Sequence, residues 1–98
     1  MATYLITFEI TQQGIVHAKD IPGRVAASKQ IVKSMGGEVK SFYALLGAAF
    51  DTLLILEAPD DETVGKITLA ISALGNVRTS THRAFSEEEY NNLIDALP

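Results

Sequence analysis

Residues 39–59 read VKSFYALLGAAFDTLLILEAP, and the parsing of this run decides the fold. Gly47-Ala48-Ala49 divides it into two extended halves. In the first half Val39, Ser41, Tyr43 and Leu45 alternate with Glu38, Lys40, Phe42, Ala44 and Leu46, the period of a strand with two unlike faces. In the second half Leu53, Leu54, Ile55 and Leu56 are consecutive. A strand that is apolar on both faces has to be covered on both. The run therefore predicts a hairpin whose second strand lies inside a sheet.

Working upstream, Asp20-Ile21-Pro22 opens a helix, with Asp20 expected to cap free N–H groups and Pro22 tolerated in the first turn. Ile21, Val25, Ser28, Val32 and Met35 recur at helical spacing, with Ala27 and Ile31 broadening the stripe. Arg24, Lys29 and Lys33 fall off the stripe and are expected in solvent. Gly36-Gly37 supplies a left-handed stop. Before this helix, residues 11–20 read as a long connection with a short turn near 14–18, and loops of this length are often functional. The chain opens with TYLITFEI, in which Tyr4, Ile6, Phe8 and Ile10 form one face and Leu5, Thr7 and Glu9 the other.

Downstream, Pro59-Asp60-Asp61-Glu62 ends the hairpin and sets negative charge at the start of a second helix, where the dipole favours it. Val64, Ile67, Ile71 and Leu74 make its inner stripe, and Gly75-Asn76 ends it. VRTSTHRAF, residues 77–85, is a polar strand suited to a sheet edge. Ser86-Glu87-Glu88-Glu89 is a capping box for a last helix whose apolar residues are Leu93, Ile94 and Leu97. The order β-α-β-β-α-β-α is a ferredoxin-like α+β sandwich, βαββαβ, with an extra C-terminal helix. Right-handed crossovers place both main helices on one face of a four-stranded antiparallel sheet, with the first and third strands central.

The totals narrow the function. At 98 residues the chain is one domain, able to bury roughly 60–65% of its unfolded surface. It has no cysteine, so disulfides and thiolate chemistry are excluded. The net charge of −4 lacks the footprint of a nucleic-acid binder, so no nucleic acid is expected as partner. No apolar run reaches the ~20 residues of a membrane span, no leader pattern is visible, and a cytoplasmic location is the expectation. The open sheet face would carry Leu5 and Thr7 plus one apolar pair from the third strand, either Leu53 with Ile55 or Leu54 with Leu56. Such a patch marks an interface, most simply with a second copy of the chain; the competing arrangement folds the C-terminal helix over it.

These segments resemble the GYD domain family over nearly the whole chain. The resemblance rests on TYLITFEITQQGI, on Asp20 to Arg24, and on Gly36-Gly37-Glu38-Val39 with Phe42-Tyr43. It continues through Leu56-Glu57-Ala58-Pro59-Asp60-Asp61, Gly75-Asn76-Val77-Arg78-Thr79 and Arg83-Ala84-Phe85. It implies a ferredoxin-like domain in a dimeric or larger α+β barrel assembly, with no established activity. The family's Gly-x-Tyr-Asp signature is altered here to Gly47-Ala48-Ala49-Phe50-Asp51, so a phenylalanine stands where relatives place a phenol.

The candidate site residues are few. Asp51, beside the Gly47 turn, is a base or acceptor at a pocket rim, or an ordinary strand-entry hydrogen-bonding group. Tyr43 orients a ligand through its hydroxyl or packs in the sheet. Phe50 and Phe8 could wall an apolar pocket. His17 lies in the long connection and His82 on the last strand; they are too far apart in sequence to form a metal signature, and no metal or cofactor is expected. Glu9 is of interest only if it is buried on the open face. Arg24, Arg78 and Arg83 hold an anionic ligand or pair with surface acids. An RNA-recognition domain is excluded because FDTLLILE has no basic residue. Asp20-Ile21-Pro22-Gly23 resembles the helix entry of amino-acid-sensing ACT domains, although there the motif follows the first strand directly. Three functions stay open: a self-associating module that binds a small ligand or a partner, a cofactor-independent enzyme of the dimeric α+β barrel type (monooxygenase or isomerase-like), and an ACT-like sensor.

Overall fold

The computed structural model describes residues 1–98. Strands β1 (Ala2–Ile10), β2 (Glu38–Ala44), β3 (Thr52–Ala58) and β4 (Val77–Ala84) form one antiparallel sheet in the order β2-β3-β1-β4. Helices α2 (Ile21–Ser34) and α3 (Asp61–Ser72) pack together on one face. The expected strand order is therefore present, with β1 and β3 central. The sheet is open, not closed into a barrel.

Alternation in β1 sends Tyr4, Ile6 and Phe8 towards the helices, where all three are buried. From β3 the pair facing the helices is Leu54 and Leu56, joined by Ala58. Val32 of α2 and Val64, Ile67 and Ile71 of α3 complete the core. Fully burying side chains such as Ile6, Leu56 and Ile67 contributes about 1.5–3 kcal/mol each.

The register settles the open face. Leu5 pairs with Ile55 and Thr7 with Leu53 on one side; on the other side they pair with His82 and Ser80. Leu53 and Ile55 are thus the apolar pair on the outer surface. Here β2 departs from strict alternation. A bulge between Val39 and Ser41 moves Val39 and Phe42 to the helix side and leaves Ser41 and Tyr43 on the open side. Because β2 is an edge strand, Tyr43 is 58% exposed.

Residues 11–20 are more ordered than a loop. They form a short helix α1 (Gln12–Val16) and a single 3-10 turn, Ala18–Asp20. Thr11 caps α1 by accepting from the Gly14 N–H. The Asp20 side chain makes no cap bond; its backbone closes the 3-10 turn onto the His17 carbonyl at 3.0 Å, and α2 follows directly. Gly36 sits at φ +86° and makes the left-handed stop after α2.

Helix α4 (Glu87–Asp95) carries the complete capping box between Ser86 and Glu89. It buries none of its residues and packs substantially against no other element. It does not fold over the open face. Cα extents of 52 × 31 × 18 Å leave depth for one sheet and one helix layer.

Candidate functional site

Helix α2 is narrow where it meets the sheet at its N-terminal half. Ala27 and Ser28 fill little of the space that leucines would take, and a cavity of about 110 Å³ remains. Phe8 and Ile10 of β1, Phe42 of β2, and Thr52 and Leu54 of β3 wall it on the sheet side. Ile21, Val25, Ala27 and Ser28 of α2 face them, and Ile71 and Leu74 of α3 close a third side. Arg24, Asn76 and Val77 complete the lining.

Arg24 and Asn76 at this cavity are committed to local structure. Arg24 was expected in solvent, but its guanidinium donates to the Gly14 carbonyl at 2.8 Å and the His17 carbonyl at 3.2 Å. Asp20 lies 3.9 Å from the same group. The Asn76 carbonyl accepts from the Thr11 N–H at 3.0 Å, and its side-chain oxygen accepts from Gln13 at 3.2 Å. Thr11 donates through its hydroxyl to the Gly75 carbonyl at 2.7 Å. Segment 11–20 is therefore stitched to the α3–β4 turn on one side and to α2 on the other. It forms a fixed end wall of the cavity.

Of the candidate residues, Phe8 and Arg24 line this cavity, whereas Asp51, Phe50, His17, Tyr43 and Glu9 do not. Asp51 stands just beside it: its N–H donates to the Phe8 carbonyl and its carboxylate accepts from the Ile10 N–H, both at 2.8 Å. It thereby holds the end of the strand that supplies two cavity walls. Phe50 is half-buried in the turn before it. His17 is exposed at the end of α1, where its carbonyl serves Arg24. Tyr43 and Glu9 are on the open face, where Glu9 is exposed and pairs in register with Arg78. Glu9, Arg78, Thr7, Thr79 and Ser80 outline a polar depression of about 190 Å³ there.

A second cluster sits at the other end of the sheet. Tyr4 is buried, and its hydroxyl donates to the Asp61 carboxylate. That hydrogen bond, with burial and the negative charge of Asp61, raises the phenol above its ordinary pKa of 10.0. The Arg83 guanidinium lies 5.8 Å from the Tyr4 ring centre and 4.4 Å from that of Phe85. It also donates to Glu89 at 3.1 Å, which ties the start of α4 to β4.

The cavity is hard to find in the sequence. Its only signal is the small residues Gly23, Ala26, Ala27 and Ser28 clustered along a helix that should be filling a core. The wall formed by α1 is better marked. A Cβ on Gly14 would lie 2.2 Å from the Asn76 carbonyl oxygen, so the contact between α1 and the α3–β4 turn requires glycine.

The model of the GYD domain matches residues 4–94. The chain belongs to the GYD domain family. Across 85 residues this GYD protein is 28% identical to the glutamine synthetase and cystathionine beta-lyase binding protein of Thermus thermophilus, covering 86% of this chain and 88% of the relative. Among solved structures it resembles ribosomal protein S6 of Thermotoga maritima, with TM-score 0.71 and 15% identity over 96% of this chain and 97% of that one. It also resembles the 5-chloro-2-hydroxyhydroquinone dehydrochlorinase of Burkholderia phenoliruptrix, with TM-score 0.62 and 16% identity over 88% and 96%. At these identities the two structures share the fold of the GYD chain and nothing more specific. No helix is long and apolar enough to cross a membrane.

Proposed function

We propose that this GYD protein is a self-associating binding module that holds the apolar end of a small ligand beneath α2. The cavity lining carries this reading: ten of its fourteen residues are hydrophobic. Magnitude sets the ligand class. Drug-sized sites run to roughly 300–1,000 Å³. A dry cavity of about 150 Å³ takes benzene. A space of about 110 Å³ suits a single ring or a branched aliphatic chain. The lining offers shape and apolar surface, because its one charged side chain, Arg24, is engaged by loop carbonyls. That supports binding over catalysis and calls for no cofactor.

Self-association uses the open sheet face, where Leu5, Leu53 and Ile55 are only half-buried and Tyr43 and Glu9 lie alongside. It fits the dimeric α+β barrel arrangement that the GYD resemblance implies. The test is isothermal titration of the protein with single-ring aromatics and branched-chain amino acids, paired with Ser28→Leu. Binding by the parent and at least tenfold weaker binding by the filled variant are expected. Equal binding by both would remove the cavity reading. Turnover of a bound compound would move the protein to the cofactor-independent enzymes. Amino-acid binding unaffected by Ser28→Leu but lost on substitution of Asp20 would move it to the sensors.

A second reading, a protein-binding role, is favoured by the Thermus relative, whose name states that it binds two enzymes. Immobilised GYD protein titrated with purified glutamine synthetase checks this directly. A saturable signal that survives Ser28→Leu would place the partner surface away from the cavity.

A further inference from the structure

Thr52 is the one polar side chain on the sheet wall of the cavity. It pairs with Phe8 on one side and Ala44 on the other, so it faces the helices as Phe8 does. Valine would suit a strand equally well at this position. The hydroxyl has no hydrogen-bond partner in the protein, and no sealed side-chain polar atom is left unpaired, so it is open at the cavity. Ser28 stands on the opposite wall, on α2, and is also free. A helical serine can turn its hydroxyl onto a carbonyl of the preceding turn, as Ser34 does onto Ile31 at 2.9 Å. Thr52 has no such recourse, because β3 is paired on both sides. Its hydroxyl is the group left for an outside partner.

The surroundings select the chemistry of that partner. A threonine hydroxyl both donates and accepts, so it matches a group that does the same. An ionised group entering this mostly hydrophobic lining would lose its hydration with little in return. The one cation of the lining, Arg24, donates to the Gly14 and His17 carbonyls and lies 3.9 Å from the Asp20 carboxylate. A ring that carries one neutral hydroxyl meets both conditions, with an apolar body for the walls and a polar atom for Thr52.

We propose that Thr52 is the specificity-determining residue of the cavity and that the ligand is a neutral phenol-class compound whose hydroxyl bonds to Thr52 Oγ1. The inference rests on the cavity-binding reading and names the polar half of the ligand. Phenol, toluene and benzoate are titrated calorimetrically at pH 7 into the full-length parent, Thr52→Val and Thr52→Ser. In the parent, phenol is expected to bind at least as tightly as toluene, although apolar walls alone favour the less hydrated toluene, and benzoate roughly tenfold more weakly than phenol. Thr52→Val should move the phenol-to-toluene affinity ratio roughly tenfold towards toluene, and Thr52→Ser should restore it. Taking the ratio cancels a general change in cavity shape, which acts on both rings. A ratio unchanged in Thr52→Val, or a parent that prefers toluene or benzoate to phenol, overturns the Thr52 anchor while the cavity reading stands. A parent that binds none of the three overturns both.

Discussion

Gly14 marks the tightest approach among the glycines. The atom its Cβ would meet, at 2.2 Å, is the Asn76 carbonyl oxygen, which already accepts from the Thr11 N–H. A backbone oxygen held that way cannot swing aside. Gly14→Ala is expected to cost about 1–3 kcal/mol, the range of overpacking, read as a lower urea midpoint at unchanged slope. Tyr4 gives a contrasting case, in which the hydroxyl and not the space matters. Its pKa is raised by the bond to Asp61, so the folded form holds the phenolic proton more tightly than the unfolded chain does. The stabilisation is complete below pH 10 and is lost as pH rises through the raised value. Tyr4→Phe should therefore lose about 1 kcal/mol at neutral pH and show a flatter decline in stability above pH 10 than the parent. Denaturant titrations at pH 7 and pH 11 would check both parts. Neither role is visible in the sequence, since Gly14 meets a residue sixty-two positions away and Tyr4 one fifty-seven positions away.

Elements were legible wherever one periodicity ran unbroken. Strand β1 presents the faces that its spacing predicts, and α3 buries Val64, Ile67 and Ile71 as its spacing predicts, whereas Leu74 lies past its end and is 60% exposed. Strand β3 does not reveal its inner side, because Leu53, Leu54, Ile55 and Leu56 satisfy either choice; only pairing with β1 selects Leu54 and Leu56. Strand β2 misleads, because a bulge inserts one residue and the sequence carries no mark of it. Helix α1 is too short for a period to show, and Thr11 reaching the Gly14 N–H is its one signature. Helix α4 is the reverse case, announced in full by its capping box. Ser86→Ala should cost it about 1 kcal/mol, seen as faster amide exchange across residues 87–95 with the exchange of β1 and β3 unchanged. Acid should act in the same place. The Ser86 N–H and the Arg83 guanidinium hold Glu89 below its ordinary pKa. Their contribution is present above the unfolded value of 4.5 and disappears as pH falls through the depressed one. In the parent, α4 is expected to loosen in acid before the core does.

At the scale of the molecule, strand order follows from the sequence of elements and the handedness of crossovers, which is why it could be read without coordinates. The cavity could not, because it arises where the sheet, α2 and α3 each fall short of filling the space between them. The molecule also divides electrically into two parts of very different size. The packed domain of residues 1–85 has balanced charge, and its core uses no side chain from α4. A chain cut after Phe85 is expected to keep its fold and lose its acidic isoelectric point of about 5.0. Zero net charge in neutral buffer favours association and precipitation. Turbidity against ammonium sulfate should rise at a lower salt concentration for the cut chain than for the parent. A thirteen-residue tail thus sets the colloidal behaviour of the entire protein, and a protease nick in one exposed segment would register first as lost solubility and only later, if at all, as lost structure.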